Sequence, residues 1–110
     1  MCTSERKIPT HMFVFAQPTL SQETMVKFQN DLDRLFETVP IFILILDGTA
    51  VEYASVWTIA SQAKYMQANR DRMKQHVPWV EIRCSKLGKL LLDCLFWLSP
   101  PAVEVKITVA

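Results

Sequence analysis

Six apolar residues in a row, Ile41-Phe42-Ile43-Leu44-Ile45-Leu46, run without interruption into Asp47-Gly48-Thr49. A strand with one wet face alternates apolar and polar residues. A strand apolar at every position is buried on both faces or lies in the centre of its sheet. Such strands belong to sheets whose covering layers come from crossover helices. A helix-like segment starts again near Ser55. In α/β proteins the crevice beyond the carboxyl end of a strand is where ligands and partners dock. The run therefore selects a fold class and directs attention to one end of the sheet.

The flanking segments agree with that class. Phe13-Val14-Phe15-Ala16 reads as a short strand stopped by Gln17-Pro18. Thr19 and Gln22 have capping-box spacing. Met25, Phe28, Leu32, Leu35 and Phe36 then recur at helical spacing, opposite Lys27, Asn30, Asp31 and Arg34, which predicts an amphipathic helix over 20–37. Pro40 forbids its continuation. A second helix is expected over 56–75, facing inward with Val56, Ile59, Ala60, Ala63 and Met66, and with Met73 near its end.

Trp79–Cys84 alternates as a third strand, and Ser85 precedes a third helix, KLGKLLLDCLFWL, closed by Ser99-Pro100-Pro101. Val103, Val105, Ile107 and Val109 alternate with Glu104, Lys106 and Thr108 in a period of two. The order βαβαβαβ calls for a mainly parallel sheet with right-handed crossovers. Helices on both faces would bury Glu104 and Lys106 without partners, so they are expected mostly on one face.

A chain of 110 residues, half of them hydrophobic, is sized for one domain with its own core. Residues 1–11, broken by Pro9, read as a flexible N-terminal segment, and 12–110 as the domain. Twelve basic residues against eleven acidic give a net charge of +1, with no basic excess to recruit nucleic acid or an anionic membrane. The N-terminus lacks the apolar core of a signal peptide, and no apolar run approaches the roughly 20 residues that span a bilayer. Cys2, Cys84 and Cys94 are odd in number and follow no metal-ligand spacing, so neither a disulfide framework nor a metal site is expected. The expected setting is the cytoplasm. Two glycines, Gly48 and Gly88, are too few for a dinucleotide fingerprint or a P-loop, and no cofactor is expected.

The order of elements, the ILDGTAVEYAS stretch and the later SKLGKLLLDCLFWL segment together resemble the STAS domain (sulfate transporter and anti-sigma-factor antagonist). In that family a buried strand ends in LDLSG, an aromatic follows, and DSSG opens a helix. Leu46-Asp47-Gly48-Thr49-Ala50 is similar to the first motif, and Tyr53 stands where the aromatic falls. The resemblance covers roughly residues 12–109 and implies an α/β, STAS-like single domain without catalytic activity. It further implies regulation by docking a protein partner, an anti-sigma-like or kinase-like regulator, through residues 47–60. The departure falls on the switch. Against DSSG this chain reads Ser55-Val56-Trp57-Thr58, so the phospho-acceptor serine corresponds to Val56, which has no hydroxyl.

The expected partner-binding residues are Asp47, Gly48, Thr49, Tyr53, Ser55 and Trp57. Ser55 is read two ways, as a displaced phosphorylation site or as a plain helix N-cap. Asp47 is either a functional acid at a strand end or the acceptor of an Asx-turn. A small-molecule pocket or small active site built on the Asp47–Ser55 loop is the competing reading. His11 and His76 read as solvated surface residues, and Cys84 and Cys94 as small buried hydrophobes. In the third helix Leu87, Leu90, Leu91, Cys94, Leu95 and Leu98 fill an inward stripe. Leu92, Phe96 and Trp97 cannot all share that stripe at about 3.6 residues per turn. Either loops or the Pro100-Pro101 segment cover them, or Phe96 and Trp97 form an apolar interface for a homodimer or another partner.

Overall fold

The computed structural model describes residues 8–110. In chain order they form β1 (Thr10–Val14), β2 (Thr19–Leu20), α1 (Gln22–Thr38), β3 (Ile43–Gly48), β4 (Tyr53–Ala54), α2 (Val56–Ala68), α3 (Arg70–His76), β5 (Trp79–Cys84), α4 (Lys86–Leu98) and β6 (Glu104–Val109). Strands β1, β3, β5 and β6 make one parallel sheet in that spatial order, and β2 pairs with β4 in a short parallel ladder of its own. The α/β class and the parallel sheet expected from the sequence are therefore present. Of the segment 1–11 expected to be flexible, 1–7 lie outside the described residues. Thr10 and His11 belong to β1, two residues ahead of the expected start of the domain.

Register explains the two faces. His11, Leu44, Val80 and Val105 form one row across the sheet, and Phe13, Leu46, Ile82 and Ile107 the next. Both rows face the helices: Met25, Phe28, Leu32 and Phe36 of α1 join Leu44, Val80 and Ile82 in one buried cluster, with Met73, Leu92 and Phe96 packed on it. Phe13 meets Phe28 edge-on at 5.0 Å, and Phe15 meets the same ring at 5.6 Å. The alternate row is Met12, Ile45, Glu81 and Lys106. Met12 and Lys106 on it are exposed. Residues 43–46 of the apolar run lie in a central strand, as expected, but Ile41 and Phe42 precede it, Ile41 is exposed, and the outward residues Ile43 and Ile45 are half-buried rather than covered. On the outward side the Trp79 indole donates to Glu81 Oε2 at 3.1 Å, and the Lys106 ammonium lies 4.5 Å from the Trp79 ring centre. These contacts give the aromatic and the charges partners without a helical layer.

Three local readings are corrected. Thr19 does not cap α1; it is spent in β2, and Ser21 is the N-cap, its Oγ accepting from the Thr24 N–H at 3.1 Å. The expected helix over 56–75 is two helices parted at Asn69. There the Asn69 side-chain amide donates to the Tyr65 carbonyl at 2.9 Å, while its Oδ1 accepts from Arg72 at 3.2 Å. A side-chain amide that competes for backbone partners breaks the run in this way. The inward face of α2 is also turned. Thr58 and Ala63 are buried, whereas Val56 and Ala60 are exposed. Polar groups hold the inner positions because each has a partner. Gln62 Oε1 accepts from Gln29 at 3.0 Å, and the Tyr65 hydroxyl donates to Asp33 Oδ1 at 2.6 Å. Burial, followed by the Asp33 hydrogen bond, holds the Tyr65 phenol well above its ordinary range.

Helix α4 has the expected bounds but a different phase. Gly88 is buried, and a Cβ there would stand 3.2 Å from Cys84 Cβ and 3.5 Å from the Val51 carbonyl oxygen. This close approach seats Leu91, Leu92, Leu95 and Phe96 toward the core. Leu87, Leu90, Cys94, Trp97 and Leu98 are left exposed, where the sequence had placed all but Trp97 inward. Of the expected interface pair, Trp97 is 82% exposed and Phe96 packs against the core. Phe96→Ala is therefore expected to lower the unfolding free energy by more than about 2 kcal/mol. Trp97→Ser should stay within about 0.5 kcal/mol of wild type. Parallel urea melts of the two variants check this, and equal losses would contradict it.

Candidate docking surface at the start of α2

The Asp47–Ser55 segment connects the carboxyl end of β3 to α2, and its backbone is tied down at four points. Phe15 N–H donates to the Asp47 carbonyl at 2.9 Å, and Val51 N–H to the Gly48 carbonyl at 3.0 Å. Glu52 and Tyr53 both donate to the Pro18 carbonyl, at 2.7 and 3.0 Å. Val51, at the turn, is buried, and the Ser85 hydroxyl donates to its carbonyl at 3.1 Å. Ser85 also caps α4 by accepting from Gly88 N–H at 3.0 Å, so one serine links the loop to the third crossover helix.

Asp47 forms an Asx-turn. Its Oδ1 accepts from the Thr49 N–H at 3.1 Å and from the Thr49 hydroxyl at 2.8 Å. These two bonds, helped by the charge of Arg83 on the neighbouring strand, hold its carboxyl below the usual carboxylate value. A carboxyl whose folded value is depressed stabilises the fold above its unfolded value of 3.8, and that contribution fades as pH falls through the folded value. In a carbon-detected NMR titration Asp47 is expected to titrate below ordinary aspartates, and Thr49→Ala to return it part of the way. An ordinary titration in the wild type would remove the turn from the account of this loop.

Ser55 is the N-cap of α2: its Oγ accepts from Thr58 N–H at 3.2 Å and shares a 3.0 Å hydrogen bond with the Thr58 hydroxyl. Capping alone accounts for a serine here. Around this cap the side chains turn outward. Tyr53 is 58% exposed, Val56 75% and Trp57 76%. Of the residues expected to bind a partner, Asp47, Thr49, Tyr53, Ser55 and Trp57 thus gather on one loop and the first turn of one helix. Gly48 lies on the inner side, where it borders the space under α2. The sequence reading omitted Val56 from this surface because it had placed that residue in the core.

Elsewhere the two histidines pack within the fold. His76 Nδ1 lies 2.8 Å from the Pro40 carbonyl, and its ring lies 5.5 Å from Phe36. His11 meets Phe42 edge-on at 5.6 Å. Both histidines are half-buried rather than solvated, a role that isolated histidines in a sequence do not announce. Cys84 is buried, and burial pushes its thiol above the ordinary value. Cys94 is exposed on α4. Cys2 lies outside the described residues. Among the described residues no group of three or more His, Cys, Asp or Glu side chains is placed to hold a metal, and no helix is long and apolar enough to cross a membrane. Comparison with family models, curated proteins and solved structures returned no match.

Proposed function

We propose that this chain is a non-catalytic interaction domain that docks a protein partner through the Asp47–Ser55 loop and the first turn of α2. The observation that carries the reading is the clustering of Tyr53, Val56 and Trp57, all well exposed, on a loop and first helical turn whose Asp47, Thr49 and Ser55 side chains hydrogen-bond within them. Aromatic side chains held out on a pinned backbone lose little entropy on binding, and tryptophan and tyrosine dominate interface hot spots. Asp47, Thr49 and Ser55 shape the surface; Tyr53, Val56 and Trp57 make the contact.

The resemblance to STAS domains supplies the class of partner, an anti-sigma-like or kinase-like regulatory protein. A parallel sheet with its helices packed on one face is compatible with that resemblance. With Val56 in place of the family's acceptor serine, the domain is a constitutive binder or is regulated by other means. The exposed stripe Leu87, Leu90, Cys94 and Trp97 on α4 offers a second surface, which suits a homodimer. Sedimentation equilibrium of wild type and Trp97→Ser over a range of concentrations reads that part.

A photo-cross-linking residue placed at position 56 in the native cell tests the main reading. One discrete protein adduct is expected, absent when the same residue replaces Lys27, an exposed position on α1. The same adducts from both positions, or none from either, would overturn it.

A further inference from the structure

A partly open apolar cavity of about 180 Å³ lies between the inner face of the sheet and helices α1, α2, α3 and α4. We propose that it is a binding site for one small, uncharged, apolar molecule, the size of a single aromatic ring or a short alkyl chain. The inference is independent of the docking reading.

The walls decide the chemistry. Leu44, Leu46, Val80 and Ile82 form the sheet side, and Phe28, Ile59 and Leu92 face them from α1, α2 and α4. The polar residues that border the space already hold partners within the protein. Thr58 shares its hydroxyl with Ser55, Gln62 accepts from Gln29, the Tyr65 hydroxyl donates to Asp33, and the Asn69 amide donates to the Tyr65 carbonyl. The one charged residue on the border, Arg83, is exposed on the outward side of β5, in register with Asp47. A charged or strongly polar ligand would therefore lose its water and gain nothing in exchange.

Size points the same way. An apolar cavity of about 150 Å³ stays dry and admits benzene or xenon. Atoms lining an empty void forgo dispersion contacts that a guest restores. Met25, Met66 and Met73 also border the space, and their flexible, polarizable side chains suit a wall that must adapt to its guest.

The probe is benzene, titrated into the full chain, with sodium benzoate as the charged analogue. Benzene is expected to raise the melting temperature in a saturable way and to shift the methyl resonances of Met25, Ile59, Met66 and Leu92. Those of Leu87 and Leu90, on the outward side of α4, should stay in place. Benzoate should do neither. Leu92→Phe, which fills the space, should weaken benzene binding at least tenfold; if that variant does not fold, Ile59→Phe reads the same effect from the opposite wall. The proposal is overturned if benzene moves neither the melting temperature nor the lining methyls, if the shifts fall on Leu87 and Leu90, or if benzoate binds as well as benzene.

Discussion

Phe42→Ala is expected to lower the unfolding free energy by about 3–5 kcal/mol, the usual cost of emptying a buried phenylalanine site. Phe42 is fully buried. Its ring lies 5.6 Å from His11 on β1 and 6.0 Å from Phe36 on α1, and its N–H donates to the His76 carbonyl at 2.9 Å. The ring thus joins the edge strand to the first helix, while the backbone of the same residue ties β3 to the end of α3. A domain of this size has roughly 5–15 kcal/mol of stability in all, so the variant should melt at least about 12 °C lower or fail to fold. Phe42→Leu retains much of the volume and should cost less. Urea unfolding with an unchanged slope is the measurement. A loss below about 1.5 kcal/mol would mean that the surrounding side chains collapse into the space and that Phe42 is not the joint described.

The sheet was legible in the sequence because its signals are local. The unbroken apolar run marked β3 as central, the period of two marked β5 and β6, and Glu104 and Lys106 showed that one face lacks a helical cover. The first helix was legible in extent and phase, α4 in extent but not in phase, and the 56–75 segment in neither, being two helices with a turned inner face. In α4 nearly every position from Leu87 to Leu98 is apolar, so periodicity gives no rotation; Gly88 sets it by a close approach to Cys84 that only the fold creates. In α2 the inward face includes Thr58, Gln62 and Tyr65, whose partners are side chains of Ser55, Gln29 and Asp33. A pattern scored on hydrophobicity assigns such residues to solvent, and Val56 was placed in the core for the same reason. The β2–β4 ladder has two residues in each strand, too short for any period to register. At the loop, Asp47 and Ser55 were each left with a structural and a functional reading; the observed hydrogen bonds supply the turn and the cap. Tyr53 and Trp57 beside them were already expected on this surface; the exposure of Val56 rests on the phase of α2 and needed the structure.

Trp57→Ala is expected to weaken capture of the partner cross-linked from position 56 by at least about 30-fold, the equivalent of a 2 kcal/mol hot spot. Tyr53→Ala should act in the same direction by a smaller factor, since less of Tyr53 is exposed to be covered. Neither change should move the melting temperature by more than a few degrees, because surface substitutions that break no buried contact stay within about 0.5 kcal/mol. Trp97→Ala is the matched control. It removes an equally large exposed ring from α4 and should leave capture of that partner unchanged. Affinities measured by surface plasmon resonance with the purified partner separate the outcomes, and most of the loss should fall in the dissociation rate. If Trp57→Ala binds as wild type while Trp97→Ala does not, the docking surface lies on α4. If both lose affinity together with folded signal, the effect is one of stability and the loop has no special claim.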